Sequence, residues 1–308
     1  MQQTVRAQRP TAIYKNHLQD STRWENFKSR DGDIFVCTPA KCGTTWTQMI
    51  CALLIFQKPE FERPLSDYTP WLDMLLNPIE KVLANLEAQT HRRFIKTHTP
   101  FDGLPYYENT TYLCVGRDPR DAFLSMGNHS RNINPEFMKK FMANAKPESR
   151  PDEQEKKLTA GERFLKEITA PTIPGSTDNP AGVLPYIKSF WEYRHLPNVH
   201  LMHYSDMKRD LGGETRRIAK VLGIEVAEEL WPVLIRAAEF ENMKMNSGKL
   251  APDADTGIWR EPGKFFNKGE SGQWRDVFSP EELAGYEKVM RERLSPELAN
   301  WIEKGRLG

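Results

Sequence analysis

The run Asp33-Ile34-Phe35-Val36-Cys37-Thr38-Pro39-Ala40-Lys41-Cys42-Gly43-Thr44-Thr45-Trp46, continued by Thr47-Gln48-Met49-Ile50-Cys51-Ala52-Leu53-Leu54-Ile55-Phe56, decides the fold. Ile34 to Thr38 is a short β-rich run, Pro39 to Gly43 a breaker loop, and Thr44 to Phe56 a mostly apolar stretch of helical length. A strand that feeds a helix through a loop with Gly and adjacent hydroxyls is a common way to hold a phosphate. The N–H groups of the helix's first turn point at the anion, Gly43 lets the backbone come close, and Lys41 adds a positive charge. In the common nucleoside-triphosphate loop, Lys follows the last Gly and the next Ser or Thr holds magnesium. Here Lys41 precedes the Gly and falls on the loop's other side.

Outward from this unit, strand and helix signals alternate. Arg93 to Thr97 reads as a second strand, closed by His98-Thr99-Pro100. Tyr112 to Gly116 is a third, a continuous apolar run of the kind covered on both faces, and Val199 to Tyr204 a fourth. Ile79 to Ala88 repeats apolar residues at helical spacing. Asp118 can cap a helix that has Pro119 at its first position and Asp121 near its positive end. Further helices are expected through Tyr186, Phe190 and Trp191, over Glu214 to Leu222 with Gly223 as stop, and over Leu230 to Ala238. Ser279-Pro280-Glu281-Glu282 is a capping box opening what reads as the last helix. Residues 1–30 form a polar arm with several aromatics that reads as wrapping the body. From Arg131 to Ala181, Lys, Glu, Pro, Ser and Thr dominate with weak periodicity, which predicts a mobile, variable excursion with short helices. The whole predicts one α/β domain over 1–308, a central parallel β-sheet flanked by helices with a P-loop-like anion loop. Lys41, His98 and Arg117 each fall just after a strand, at the carboxyl edge where open α/β sheets bind ligands.

Composition narrows the function classes. Lys and Arg total 43 against 42 acids, a net charge of +1 over 308 residues, which gives no footprint for nucleic acid or an anionic membrane. Cys37, Cys42, Cys51 and Cys114 are not spaced as a zinc site and read as reduced, buried thiols. Met1 to Asn16 has no apolar core of a secretory signal, and the longest apolar run, Met49 to Phe56, is too short to span a bilayer. A soluble cytoplasmic protein is expected.

Taken singly, the other motifs have plain readings. His98, at a strand's end, could be a general base or a solvent-facing residue. Arg117 leaves its strand with a guanidinium free for bidentate oxygen recognition, or pairs with an acid. Ser125 lies two helical turns beyond Asp118, on the cap's face. Trp46 is core, or stacks on a purine; Phe265 to Trp274 is a Gly-bounded basic loop. Arg120 and His129 read as surface, and His17, His91, His195, His200 and His203 as structural.

Together and in order, four segments resemble the cytosolic-type sulfotransferases. Lys41-Cys42-Gly43-Thr44-Thr45-Trp46 resembles the family's phosphosulfate loop, usually Pro-Lys-Ser-Gly-Thr-Thr-Trp, with Cys42 in place of Ser. Lys96-Thr97-His98 resembles the catalytic-base segment. That likeness implies that His98 deprotonates the acceptor hydroxyl and Lys96 holds sulfuryl oxygens. Arg117-Asp118-Pro119-Arg120-Asp121 with Ser125 resembles the segment whose Arg and Ser grip the cofactor's 3′-phosphate; Ser125 would also restrain Lys41 until acceptor arrives. Lys268, Gly269, Gly272 and Trp274 match the loop that folds over that phosphate, but the family's Arg is Asn267. One charge-assisted contact is thereby absent, a loss of about 1.5–3 kcal/mol unless a residue such as Lys264 substitutes. Trp46, Tyr204, Phe240 and Met243 match the adenine wall, and Ala238-Glu239 stand where the family has Thr-Ser.

The resemblance implies an enzyme that transfers a sulfuryl group from 3′-phosphoadenosine 5′-phosphosulfate (PAPS) to a small-molecule phenol or alcohol, leaving 3′-phosphoadenosine 5′-phosphate (PAP), with no metal. The acceptor pocket is expected to draw on Tyr68 to Leu76, Phe101 to Tyr107 and Phe137 to Pro185. A family-type homodimer is left open, because Arg275, Ser279, Pro280 and Ala284 fall where its interface motif would lie. The alternatives are a kinase-like phosphoryl transferase and a catalytically silent nucleotide binder.

Overall fold

The computed structural model describes residues 7–141, 157–171 and 179–308. Four parallel strands lie in the spatial order Phe94–Thr97, Ile34–Cys37, Thr111–Gly116, Val199–His203. Val36 stands opposite Lys96 on one side and Leu113 on the other. Side chains alternate across the sheet with period two, as a pleated strand requires. Phe35, Cys37, Ile95, Tyr112 and Cys114 enter one buried apolar cluster and Ile34, Val36, Phe94, Leu113 and Val115 the other. Helices Ile79–Ala88, Pro180–Trp191 and Pro280–Arg293 cover the first face; Thr44–Phe56 and Leu211–Leu222 cover the second. All four cysteines are free and buried. The expected fold class, an α/β domain built on a parallel sheet, is the one observed.

Local chemistry sets the element ends. The Asp118 carboxylate accepts from the Arg120 backbone N–H and Pro119 takes the first helical position. Ser279 and Glu282 form the reciprocal capping box. That helix is not the last: Pro296–Lys304 follows, capped by Ser295. It overturns the surface reading of Arg120, which is buried, ion-paired with Asp118 (2.7 Å) and Glu303 (3.3 Å), and stacked over Trp274. The missed helix brings Glu303 and closes over the guanidinium.

The N-terminal segment packs onto the body. Tyr14 donates to the Asp102 carboxylate (2.9 and 3.0 Å), and Trp24 is fully buried against Phe27 and Phe35. Arg131 and Asn132, where an excursion was expected to open, belong to the Pro119–Asn132 helix, and Pro135–Phe141 is helical too. Much of the remainder, 142–156 and 172–178, lies outside the described residues; Ala160–Thr169 is a capped helix packed against Pro280–Arg293. Among the described residues, no helix is long and apolar enough to cross a membrane.

Candidate active site

Each strand delivers a polar group to one edge of the sheet. Past Cys37 come Thr38 and the Pro39–Gly43 loop; past Thr97, Gly116 and His203 come His98, Arg117 and Tyr204 in turn. These residues, apart from Thr38, Pro39 and Cys42, line one cavity of about 690 Å³, a volume typical of small-molecule sites.

The loop is built for an anion. Gly43 is the N-cap of the Thr44–Phe56 helix at φ 103°, a conformation open to glycine, and no side chain caps the first turn. A Cβ on Gly43 would stand 3.1 Å from the Tyr204 ring, so the backbone itself forms the floor. Lys41 has a left-handed backbone, φ 63°. Burial, then Arg117 and Lys96, push its ammonium down to about 7. Cys42 points into the protein, fully buried, with its thiol pushed up to about 12 by burial. It therefore supports the loop rather than facing the cavity.

His98 is nearly enclosed. Its Nδ1 lies 2.6 Å from the Thr38 carbonyl oxygen, which only accepts, so Nδ1 carries the proton and Nε2 is the nitrogen free to take one. Trp71 stands edge-on to the ring at 4.5 Å. Burial, with Lys96 and Lys41 adding to it and the Thr38 bond opposing, holds the imidazole down to about 3, which favours its neutral form. Lys96 Nζ sits 3.9 Å from the Trp71 ring centroid and is lowered to about 8 by burial, which Asp253 and Asp73 resist.

Arg117 is the hinge between two loops. Its guanidinium donates to the carbonyls of Lys41 (2.9 Å) and Glu270 (3.0 Å) and lies 4.0 Å over the Tyr204 ring, while its buried Nε has no partner. Asn267, Lys268 and Gly269 line the cavity on that side. Gly269 has φ 65°, and a Cβ there would clash with the Phe240 ring at 2.5 Å. Asp121 accepts from the N–H groups of Gly272 (2.7 Å) and Gln273 (3.1 Å), so it clamps this loop as well as serving its helix. Trp46 donates to the Ala238 carbonyl (2.8 Å) and meets Tyr204 edge-on; with Phe240 and Met243 these form an aromatic and sulfur wall. Lys264 lines the cavity too, ion-paired with Glu261 at 2.5 Å.

Four sequence expectations differ from the structure. His129 is not a surface residue. It stands one helical turn beyond Ser125 on the same face, lines the cavity, and its Nδ1 lies 3.3 Å from Lys41 Nζ. No hydrogen bond joins Ser125 to Lys41 among the described residues, although Ser125 lines the same cavity. His17 is likewise at the cavity rather than purely structural. Phe101 to Tyr107 do not line it, because Phe101 packs into the core against Tyr112 and Phe190. In their place come Asn16 to Gln19 of the arm and Pro252, Asp253, Ile258 and Trp259. The i,i+4 relation of Ser125 to His129 was a signal available for the first; nothing local announced the arm. Among the described residues no cluster of His, Cys, Asp or Glu is arranged to hold a metal ion.

A helix N-terminus without a side-chain cap, two lysines whose burial lowers their pKa and a buried imidazole meet on one edge of a parallel sheet, the arrangement of an anion site. The sulfotransferase domain model matches residues 31–296, and the chain belongs to that family of enzymes. It is 38% identical over 311 residues to a glycolipid sulfotransferase of Mycobacterium bovis, covering 96% of this chain and 95% of that one. The glycolipid sulfotransferase of Mycobacterium tuberculosis is equally similar, 38% over 316 residues with the same coverage. Retinol dehydratase, solved with retinol and PAP, superposes with a TM-score of 0.67 at 25% identity, over 90% of this chain and 87% of that one. A second structure of retinol dehydratase, with androsterone and PAP, gives 0.67 at 22% over 96% and 98%.

Proposed function

We propose that this sulfotransferase takes its sulfuryl group from PAPS and delivers it to a hydroxyl of an amphipathic acceptor, with His98 as general base. The observation that carries the reading is His98 itself: its Nδ1 is committed to the Thr38 carbonyl, leaving Nε2 outside that bond in a cavity that Lys41, Lys96 and the uncapped helix also line.

The residues fit the donor. The cradle at Gly43, the close approach at Gly269 and the unpartnered Arg117 Nε suit a nucleotide with two anionic ends. PAPS when bound supplies an electrophilic sulfuryl group on a phosphate leaving group. On that reading, the N–H groups of Gly43, Thr44 and Thr45 and the Lys41 ammonium receive the charge that grows on the phosphate side, and Lys96 that on the outer oxygens. Arg117, Ser125 and Lys268 hold the 3′-phosphate, Asn267 and Gly269 shape the loop over it, and Trp46, Tyr204, Phe240 and Met243 enclose the adenine. His98 Nε2 takes the acceptor's proton; the imidazole is lowered first by burial and then by Lys96, and an anionic donor beside Lys41 and Lys96 offsets the second of these.

The acceptor half is apolar (Met74, Met126, Ile133, Met138, Ile258, Trp259) with Asn16, Asn128 and Asp253 interspersed. That mixture suits an alcohol carried on a hydrophobic body, and the relatives named for glycolipids support the same class. The test is a thermal-shift titration with PAP, with AMP and ATP–magnesium as controls, followed by PAPS turnover against phenols, steroid alcohols and glycolipids. Stabilisation by PAP above AMP, and turnover of a lipid-borne hydroxyl, are expected. Stabilisation by ATP–magnesium alone would return the protein to phosphoryl-transfer chemistry.

A further inference from the structure

The cavity contains a second imidazole with no part in the reading above. His129 Nδ1 lies 3.3 Å from Lys41 Nζ, and its ring packs edge-on to Trp259 (4.9 Å between centroids) and toward Phe265 (6.0 Å). Lys41 Nζ also stands 4.6 Å from the Phe265 ring centroid. The loop ammonium is therefore held by one ring nitrogen and one aromatic face, both attractive to a cation. The groups with charge or a titrating proton that act on His129 are Lys41 on the loop and Lys96 and His98 at the strand end. Burial and these neighbours keep the imidazole neutral, well below its ordinary value, so its ring can accept as well as donate. Lys41, by contrast, is pressed toward deprotonation by burial, Arg117 and Lys96. A hydrogen bond to the charged form of a group favours that form.

We propose that His129 is a positioning residue for Lys41: its neutral imidazole accepts a hydrogen bond from the Lys41 ammonium and so keeps that group charged and directed to the acceptor side of the anion loop. The proposal rests on the sulfuryl-transfer reading, in which Lys41 meets charge growing on the leaving oxygen. It also gives the loop a restraint in place of the one that the family resemblance assigned to Ser125.

The experiment begins with the unmodified enzyme, measuring PAPS turnover and, separately, PAP binding by calorimetry. Absence of both would overturn the sulfotransferase reading and this proposal with it. His129→Phe keeps the aromatic wall and removes the acceptor nitrogen; His129→Asn returns an acceptor oxygen near the Nδ1 position. The Phe variant should lose about ten- to a hundredfold in kcat, the value of a hydrogen bond to a charged group, with PAP affinity nearly unchanged when measured at about pH 6, where Lys41 keeps its proton in both proteins. The alkaline limb of its kcat profile should move to lower pH, and the Asn variant should recover most of the loss. In a Lys41→Ala background the Phe substitution should cost almost nothing more, because the pair acts as one unit. Unaltered kcat and alkaline limb in the Phe variant, or an equal further loss in the Lys41→Ala background, would overturn the assignment. Thermal unfolding of each variant separates a folding defect from a catalytic one. If the Phe variant does not fold, the Asn variant alone decides, since wild-type kcat is expected there and a loss like that of Lys41→Ala would refute the proposal.

Discussion

At the scale of single residues, the site separates chemistry from grip. His98→Ala should remove turnover by about 10²–10⁴-fold, the contribution of a positioned base, while PAP binding measured by calorimetry stays close to wild type. Retained turnover would take the base role away from His98. Arg117→Ala should act in the other order, weakening PAP by about 1.5–3 kcal/mol before any effect on the chemical step; unchanged affinity would remove Arg117 from the phosphate site. These residues could be read in the sequence because each is tied to a strand end by neighbours along the chain. Gly43 stands between a β run and an apolar helix, and His98 and Arg117 close strands. His129 was legible only through its one-turn spacing from Ser125, and Asp253 not at all. Their place depends on how a helix face and a distant loop meet over the sheet, and no spacing along the chain encodes that meeting.

At the scale of elements, the strand end that carries His98 is fixed from outside. Asp73 is fully buried, and its Oδ2 accepts from Thr97 and Thr99, on either side of His98, and from Trp24 (3.2 Å) and Gln19 (3.4 Å) of the N-terminal arm. Gln19 also donates to Thr99 at 2.7 Å. The arm, which the sequence offered only as a polar wrap, thus braces the turn that carries His98. Asp73→Ala leaves several buried donors unpaired and should cost about 1–3 kcal/mol in urea unfolding, with kcat falling alongside. Asp73→Asn keeps an acceptor and should do less harm to both. Equal effects of the two variants would show that charge, not the hydrogen-bond geometry, holds the turn. At the far end of the chain, Trp301 fills the space above Gly116, where a Cβ would stand 2.6 Å from its ring, and packs on Trp191 and His203. Trp301→Ala should destabilise the fold by about 3–5 kcal/mol, and a loss under about 1 kcal/mol would mean that the closing helix is not part of the core. That helix escaped the sequence reading because its apolar face is short and follows directly on a helix that already ended the pattern.

At the scale of the whole molecule, a chain of net charge +1 gathers Lys41, Lys96, Arg117, Lys208, Lys264 and Lys268 around one cavity. The attraction for an anion is local and belongs to the fold, which is why total charge said nothing of it. Concentration and burial have a cost, visible in Lys41 and Lys96 lowered to about 7 and about 8. The sign follows from which state binds more protons. From about pH 7 to the ordinary lysine value, the unfolded chain holds protons that the empty folded site has shed. The stability carried by these two groups is therefore present above that window and lost as pH falls through their lowered values. An anionic nucleotide reverses the preference, because it needs the ammonium form and must draw protons in as it binds. PAP affinity should then fall by about tenfold as pH rises from about 7 to about 8.5, while the empty protein loses no stability on account of these lysines. Calorimetry in buffers of different ionisation enthalpy would register proton uptake approaching one per PAP on the alkaline side. Lys41→Arg, which cannot titrate in this range, should flatten the profile. An affinity that does not change with pH, with no proton uptake, would mean that Lys41 is already charged in the empty site and that burial is not what tunes the anion loop.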